Sequence, residues 1–321
     1  MFEETVKNVY HLLNDNSEWI DRYRQYASYL AENSSKIESL KEGFHQWAPL
    51  YLYMNIGLAK GAANSFSLRY KGQNVAAIKA ENGKITLSTK VGSTNYVDTN
   101  KKYFGIDLDL EDSVEWTSEV AKEFRSQFKH CSIDKNPKVL EHAFESAFLT
   151  ELEKDSAAEK LPALCGIQPV KLADICRFQM CTPLKASSGS VEHTGASGGG
   201  IDILARVGLG SGSQLCVMEL KQAPDKDAMK QAVAYAAFLM KLLTDEECGQ
   251  TWHNIFGYKR PFGKKIKVCT VMPENLKRTG SPIFSGETLE TPDGILELHQ
   301  IYVNQDWQKG LKIESSSLLA N

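Results

Sequence analysis

The stretch from Gly198 to Lys221, GGGIDILARVGLGSGSQLCVMELK, constrains the fold more than any other part of the chain. Two short apolar runs with β-branched residues flank Gly208-Leu209-Gly210-Ser211-Gly212-Ser213. That link is turn chemistry, so the segment reads as a β-hairpin. Positions 202 and 219 are equidistant from the middle of the turn, between Gly210 and Ser211. A symmetric hairpin therefore sets Asp202 directly against Glu219, with Cβ atoms about 5 Å apart. Side chains alternate along a strand, so Glu219 and Lys221 share a face and stand roughly 6.6 Å apart. Two carboxylates and an ammonium thus converge on one side of the hairpin.

The rest of the chain sets broad limits. Its 321 residues suffice for two ordinary domains. With 42% hydrophobic and 24% charged residues it has the make-up of a soluble globular protein. No apolar run approaches the roughly 18 residues of a membrane span, so no membrane partner is expected. The start, MFEETVKNVYHLLND, is acidic and amphipathic and lacks the features of a signal peptide, which predicts a cytoplasmic protein. The seven cysteines form no CxxC pair. They read as free thiols of a reducing compartment, with no zinc or iron–sulfur signature. The net charge of −3 is shared almost evenly, 16 basic and 17 acidic side chains in 1–130 against 21 and 23 in 131–321, so neither half advertises nucleic acid by charge alone.

Periodicity divides the chain in two. Residues 1–48 carry apolar positions at helical spacing (Val6, Tyr10, Leu13, then Ile20, Tyr23, Tyr26, Leu30), with a break at Asn16-Ser17. From 49 to 110, SFSLRY, QNVAAIKA and KITLSTK alternate and are separated by Lys71-Gly72 and Asn82-Gly83, which predicts an antiparallel sheet. Residues 112–130 read as a helix, and a domain boundary is expected in 131–138. This gives a smaller helical and β-hairpin domain, 1–133, for recognition or assembly, and a second domain, 134–321. Trp47, Tyr51 and Tyr53 read as the first domain's core, or else as a base-stacking platform. In the second half the order is a helix over 139–154, a strand over 177–185, the central hairpin, a helix from Pro224-Asp225 to Leu243, and strands over 265–272 and 295–303. That pattern predicts an α/β core, α+β overall: a mixed sheet flanked by helices.

A close carboxylate pair offers hard oxygen ligands of the kind that hold Mg²⁺ together with water and substrate phosphate. A nearby lysine can orient an attacking water or neutralise phosphate, a set that suits phosphodiester hydrolysis. The competing account makes Glu219 and Lys221 a solvated ion pair at the end of an edge strand. The wider order adds to the first account. A helix bearing Glu141 and Glu145 comes first, then Gly198-Gly199-Gly200 leading into Asp202, then Glu219-Leu220-Lys221, then a helix with Gln231 and Tyr235 at Gln-x-x-x-Tyr spacing. Over roughly 138–275 this resembles the PD-(D/E)XK nuclease superfamily, and the Gln-x-x-x-Tyr helix is similar to that of its RecB-type members.

The resemblance implies a restriction-endonuclease-like fold, with Asp202 and Glu219 as Mg²⁺ ligands, the Leu220 carbonyl as a third, and Mn²⁺ able to substitute. It implies Lys221 as the catalytic lysine, Glu145 as the helix acid with Glu141 the alternative, and Gln231 and Tyr235 supporting the site or touching DNA. Ile201 stands where the motif often has Pro, and the cysteines do not fit the iron–sulfur cluster of some RecB-type members. Lys259, Arg260, Lys264 and Lys265 begin a basic run, continued by Lys267, Lys277 and Arg278, that could neutralise phosphates. The bland account is a strand edge kept soluble by lysines. The expected activity is a Mg²⁺-dependent deoxyribonuclease, restriction-like or acting in phage defence, with residues 1–133 for target recognition, partner binding or homodimerisation. The alternatives are a non-catalytic nucleic-acid-binding or assembly protein on the same scaffold, and a phosphatase-like metal hydrolase.

Overall fold

The computed structural model describes residues 2–32, 38, 43–44, 49–55, 65–81, 84–110, 113–131, 137–154, 159–172, 174–187, 190–195, 199–222, 225, 227–276 and 284–318. Trp47, Asn82-Gly83, Asp112, Gly198, Pro224, Lys277 and Arg278 lie outside them. The chain is a mixed α and β protein. Among the described residues no helix is long and apolar enough to cross a membrane.

Helices α1 (Phe2–Asp15) and α2 (Glu18–Glu32) break at Asn16-Ser17, as the spacing predicts. Strands β1 (Leu50–Asn55), β2 (Ser65–Tyr70), β3 (Gln73–Glu81) and β4 (Lys84–Ser88) form the antiparallel sheet. A short ribbon, β5 (Lys90–Val91) with β6 (Thr94–Asn95), leads into α3 (Tyr96–Phe104), which lies in a stretch read from sequence as sheet. Its signal was the caps. The Asn95 side chain accepts from the Val97 N–H, and Gly105 at φ 70° closes the other end. The helix expected from Asp112 starts later, as α4 (Glu119–Gln127) capped by Ser118. The intervening β7 (Val114–Glu115) pairs with β4 instead.

Next come α5 (Pro137–Leu152), β8 (Ile167–Pro169), β9 (Lys171–Leu172), β10 (Cys176–Gln179), β11 (Leu184–Ser187) and β12 (Ser190–His193). The strand expected over 177–185 is therefore two strands in different sheets: β10 joins the first sheet and β11 forms a ribbon with β12. The strand that flanks the central hairpin is β8, which sequence reading passed over because it is only three residues long. After it come β13 (Ile203–Val207), β14 (Gln214–Leu220), α6 (Ala228–Leu243), α7 (Gly249–Ile255), β15 (Lys265–Pro273), β16 (Ser285–Thr291), β17 (Gly294–Val303) and β18 (Ile313–Ser316).

The second sheet runs β16-β17-β15-β14-β13-β8, with β18 added against β17. β13 is antiparallel to both β8 and β14, whereas β14, β15 and β17 are parallel neighbours. A parallel step needs a long crossover, and α6 and α7 supply it between β14 and β15. On one face, Leu215, Val217, Ile266 and Val268 share a core with α6. On the other, Cys216, Met218, Ile203 and Ala205 pack with Phe144, Phe148 and Leu149 of α5.

The two halves of the chain share structure across residues 131–138. β1 pairs in parallel with β10, Tyr53 opposite Arg177. Tyr23 and Trp19 of α2 meet Phe238 of α6 with ring centroids 5.1 and 5.5 Å apart, and the Trp252 indole N–H donates to the Tyr23 carbonyl at 3.1 Å.

Candidate active site

The register of β13 against β14 runs from Val207 opposite Gln214 to Ile203 opposite Met218, where the ladder ends, with Asp202 and Glu219 the next residues beyond that last pair. The symmetric hairpin read from the turn is the one that forms. Asp202 precedes β13, and its Oδ2 accepts from the Leu220 N–H at 2.8 Å, which fastens the mouth of the hairpin. Lys221 continues the parallel ladder, donating its N–H to the Val271 carbonyl at 3.0 Å. Its ammonium donates to Glu219 Oε1 at 2.7 Å and lies 3.6 Å from Glu141 Oε1.

The cluster grades from half-exposed Glu141, through half-buried Asp202 and Lys221, to fully buried carboxyls. Glu219 is 1% exposed and Glu145 4%. Glu219 Oε2 and Glu145 Oε1 are both closed to solvent without a hydrogen-bond partner among the described residues. Glu145 Oε2 is 3.8 Å from His142 Nδ1. Burial, reinforced by the charge of Glu145, pushes the Asp202 carboxyl up to about 7, against the pull of Lys221. Burial and then the Asp202 charge push Glu219 well above the ordinary carboxylate range. Burial works against the charge of Lys221, but Glu219 and Asp202 outweigh it and hold the ammonium above the ordinary lysine range. Three carboxyls, of Glu219, Asp202 and Glu141, thus bear on one ammonium, and Glu145 joins the cluster through its effect on Asp202.

Gln231 and Tyr235 sit one turn apart on α6, with Gln231 Nε2 3.4 Å from the Tyr235 hydroxyl. Tyr235 is 1% exposed, and burial followed by the Glu219 charge pushes its phenol up to about 12. The hydroxyl lies against the glycine run. A Cβ built on Gly199 would stand 2.0 Å from it and 3.1 Å from the Leu184 carbonyl oxygen. The backbone here is locked by Gly199 N–H to Leu184 O at 2.6 Å and Ile201 N–H to Met180 O at 2.9 Å. Gly199 is therefore required by Tyr235, which packs behind the site rather than facing outward.

Two side chains outside the motif join the cluster. A void of about 10 Å³, room for about one water, is lined by Glu145, Asp202, Tyr53 of β1 and Arg177 of β10. Tyr53, at 1% exposure, is core, but it packs with Phe144, Phe148 and Ile203 of the second half rather than in a core of residues 1–133 alone. Arg177 is equally buried. It binds Glu153 at 2.7 Å, lies 3.2 Å from the Tyr53 hydroxyl, and covers the Tyr51 ring at 3.6 Å from its centroid. Nothing in the spacing of the chain announces this link, because Tyr53 and Arg177 are 124 residues apart and are brought together by the parallel pairing of β1 with β10.

The basic run is not gathered at the hairpin mouth. Glu219 lies level with Thr270, whereas Lys265 opens β15 five residues earlier, about 16 Å along the strand. Lys265 and Lys267 are also both tied to Glu297. Lys259, Arg260 and Lys264 are exposed at that far end.

Among the described residues no group of three or more His, Cys, Asp or Glu side chains stands close enough to hold a metal ion. The hairpin mouth offers two opposed carboxylates, and Mg²⁺ is commonly held by one or two carboxylates with water and substrate completing its shell. The unpartnered Glu219 Oε2 and the raised carboxyls fit a cation that would replace protons there. Comparison with family models, with curated proteins and with solved structures gives no match for this chain.

Proposed function

We propose that the chain is a metal-dependent deoxyribonuclease with its active centre at the mouth of the β13–β14 hairpin. The reading is carried by one observation: half-buried Asp202, fastened to the Leu220 N–H, and fully buried Glu219 stand together at the hairpin mouth with Lys221 beside them. Buried carboxylates held together in a low-dielectric site cost stability, so the arrangement is explained best by a partner that binds there. The order of helix α5, Asp202 strand, Glu-x-Lys strand and Gln-x-x-x-Tyr helix supports the PD-(D/E)XK assignment, and with it a restriction-endonuclease-like core.

In this reading Asp202 and Glu219 hold Mg²⁺ or Mn²⁺. The ion supplies charge neutralisation at the scissile phosphate. Lys221 places an ammonium where negative charge grows on the phosphoryl oxygens, and preformed charges of this kind need no reorganisation during reaction. Glu141 restrains the Lys221 head group. Glu145 keeps the field at Asp202 negative, which favours a cation over an empty site. Gln231 and Tyr235 brace the Gly199 backbone that leads into Asp202.

The test is incubation of linear and closed-circular DNA with Mg²⁺, Mn²⁺ or EDTA, using wild type and Lys221→Ala. Metal-dependent cutting that drops by at least about 100-fold in Lys221→Ala is expected, in line with loss of a positioned catalytic group. Cutting that survives the substitution overturns the mechanism. No cutting of any nucleic acid by wild type favours the non-catalytic scaffold.

A further inference from the structure

The closed end of the same hairpin borders a second feature. A cleft of about 600 Å³ is lined by Lys154, Lys160, Lys171 and Arg206, with Leu209 of the hairpin tip and Gly257 beside them. Its acids are Glu153 and Asp174; Glu153 is engaged by Arg177 at 2.7 Å and Lys171 at 3.3 Å, Lys154 pairs with Glu151 at 2.7 Å, and Lys160 donates to the Leu152 and Ile167 carbonyls at 2.8 and 2.7 Å. Arg206 has no carboxylate partner among the described residues. Its Nη1 donates to the Gly257 carbonyl at 3.3 Å and its Nη2 to Gln168 Oε1 at 3.2 Å. Its Nε is shut off from solvent, so the second N–H of Nη1 and of Nη2 are the donors left for a ligand. From Gly257 the chain runs straight into exposed Lys259 and Arg260, so the positive surface continues beyond the cleft.

A guanidinium with spare donors among lysines recognises phosphate oxygens. The cleft offers no stacking face for a base. Its aromatic residue, Phe256, is 1% exposed and packed against Trp252 and Phe178. A backbone phosphate therefore suits it better than a free nucleotide. Arg206 lies four residues along β13 from Asp202, about 13 Å, which corresponds to about four base pairs of duplex rise.

We infer that this cleft is a phosphate-binding site for the DNA backbone, gripping the duplex about four base pairs from the bond cut at the hairpin mouth. The inference rests on the nuclease reading and names its second DNA contact. It is tested by fluorescence anisotropy of a labelled 30-base-pair duplex in EDTA over a salt series, for wild type, Arg206→Lys, and the triple variant Lys154→Gln/Lys171→Gln/Arg206→Gln, each checked for folding by circular dichroism. The triple variant is expected to bind more weakly on every sequence and to lose about one to three from the slope of log K against log salt, about 0.9 per phosphate contact. Arg206→Lys is expected to keep most of the slope. An unchanged slope and affinity in a folded triple variant overturns the cleft while leaving the nuclease reading intact, provided wild type binds and cuts. Failure of wild type to bind any duplex overturns both. Displacement of the duplex by millimolar adenosine monophosphate in wild type but not in the triple variant would identify a nucleotide pocket, and overturns the assignment to DNA backbone.

Discussion

Asp202 carries the clearest pH signature in the molecule. Its folded carboxyl is pushed up to about 7 from an ordinary value of 3.8, by burial and then by Glu145. A raised carboxyl means that the folded state holds its proton longer than the unfolded state does. Stability from this group is therefore complete below about pH 4 and is lost as pH rises through about 7. Glu219 is shifted in the same direction. Metal-free protein is expected to lose melting temperature from pH 5 to pH 8, and Mg²⁺ to restore it at pH 8. Asp202→Asn keeps an acceptor for the Leu220 N–H, so it should flatten that fall, recover on the order of 3 kcal/mol at pH 8 and abolish cutting. Thermal melts in EDTA across the range check this. A wild-type melting temperature that rises steadily with pH would refute it.

Gly199 allows a second measurement at single-residue resolution. The Cβ of Gly199→Ala would collide with the Tyr235 hydroxyl at 2.0 Å, and overpacking of this kind typically costs about 1–3 kcal/mol. Tyr235→Phe removes the oxygen but leaves ring carbon Cζ at 2.8 Å, so the double variant should recover part of the loss. Denaturant unfolding of the four proteins gives the coupling, and strictly additive losses would show that the two residues do not meet.

At the scale of elements, the parts legible in sequence are those set by local chemistry. The turn at 208–213 fixes the hairpin register, and Lys71-Gly72 fixes β2 against β3. The stripe of Ala232, Ala236, Leu239 and Leu243 marks α6 as a helix, but burial extends to Val233, Ala234, Ala237, Phe238 and Met240 on its other sides, which the one-sided stripe did not show. What sequence could not show is where elements meet. Strands β10 and β11 look like one run, yet they serve two sheets because the chain leaves β10 to pair its glycine segment with Met180 and Leu184. The glycine at the β2–β3 turn has a similar hidden role. Gly72 sits at φ +80°, and a Cβ there would stand 2.3 Å from the His142 carbonyl oxygen on α5. That backbone carries Glu141 and Glu145 on either side of His142. Gly72→Ala is therefore expected to destabilise the protein by about 1–3 kcal/mol and to lower kcat, although its position is 130 residues from Asp202 in sequence. Steady-state kinetics beside a melt decide it, and unaltered values in both would show that the turn does not seat on α5.

The whole molecule is tied together at Arg177. Its guanidinium reaches Glu153 of the α5 end, Thr150 and Ser146 on α5, and Tyr53 of β1, while stacking on Tyr51. The first sheet is thereby bound to the helix that carries Glu141 and Glu145, and the void lined by Tyr53, Arg177, Glu145 and Asp202 lies beside it. Removing one partner of a buried ion pair leaves the other uncompensated and costs about 3–5 kcal/mol. Arg177→Met should lose about that much, because among the described residues Glu153 then keeps Lys171 alone, at 3.3 Å. The same topology bears on the boundary expected near residue 133. A fragment of residues 134–321 would expose one edge of β10, which β1 covers along Tyr53–Asn55, and would bare Phe238 and Trp252, which α2 covers with Trp19, Tyr23 and Tyr26. Exposed apolar surface and an unpaired edge drive association. The fragment is expected to aggregate or to melt without a cooperative transition, and mixing it with residues 1–133 should restore solubility. A monomeric, cooperatively folding 134–321 that cuts DNA would instead establish the second half as an independent nuclease, with the strand shared between the sheets dispensable.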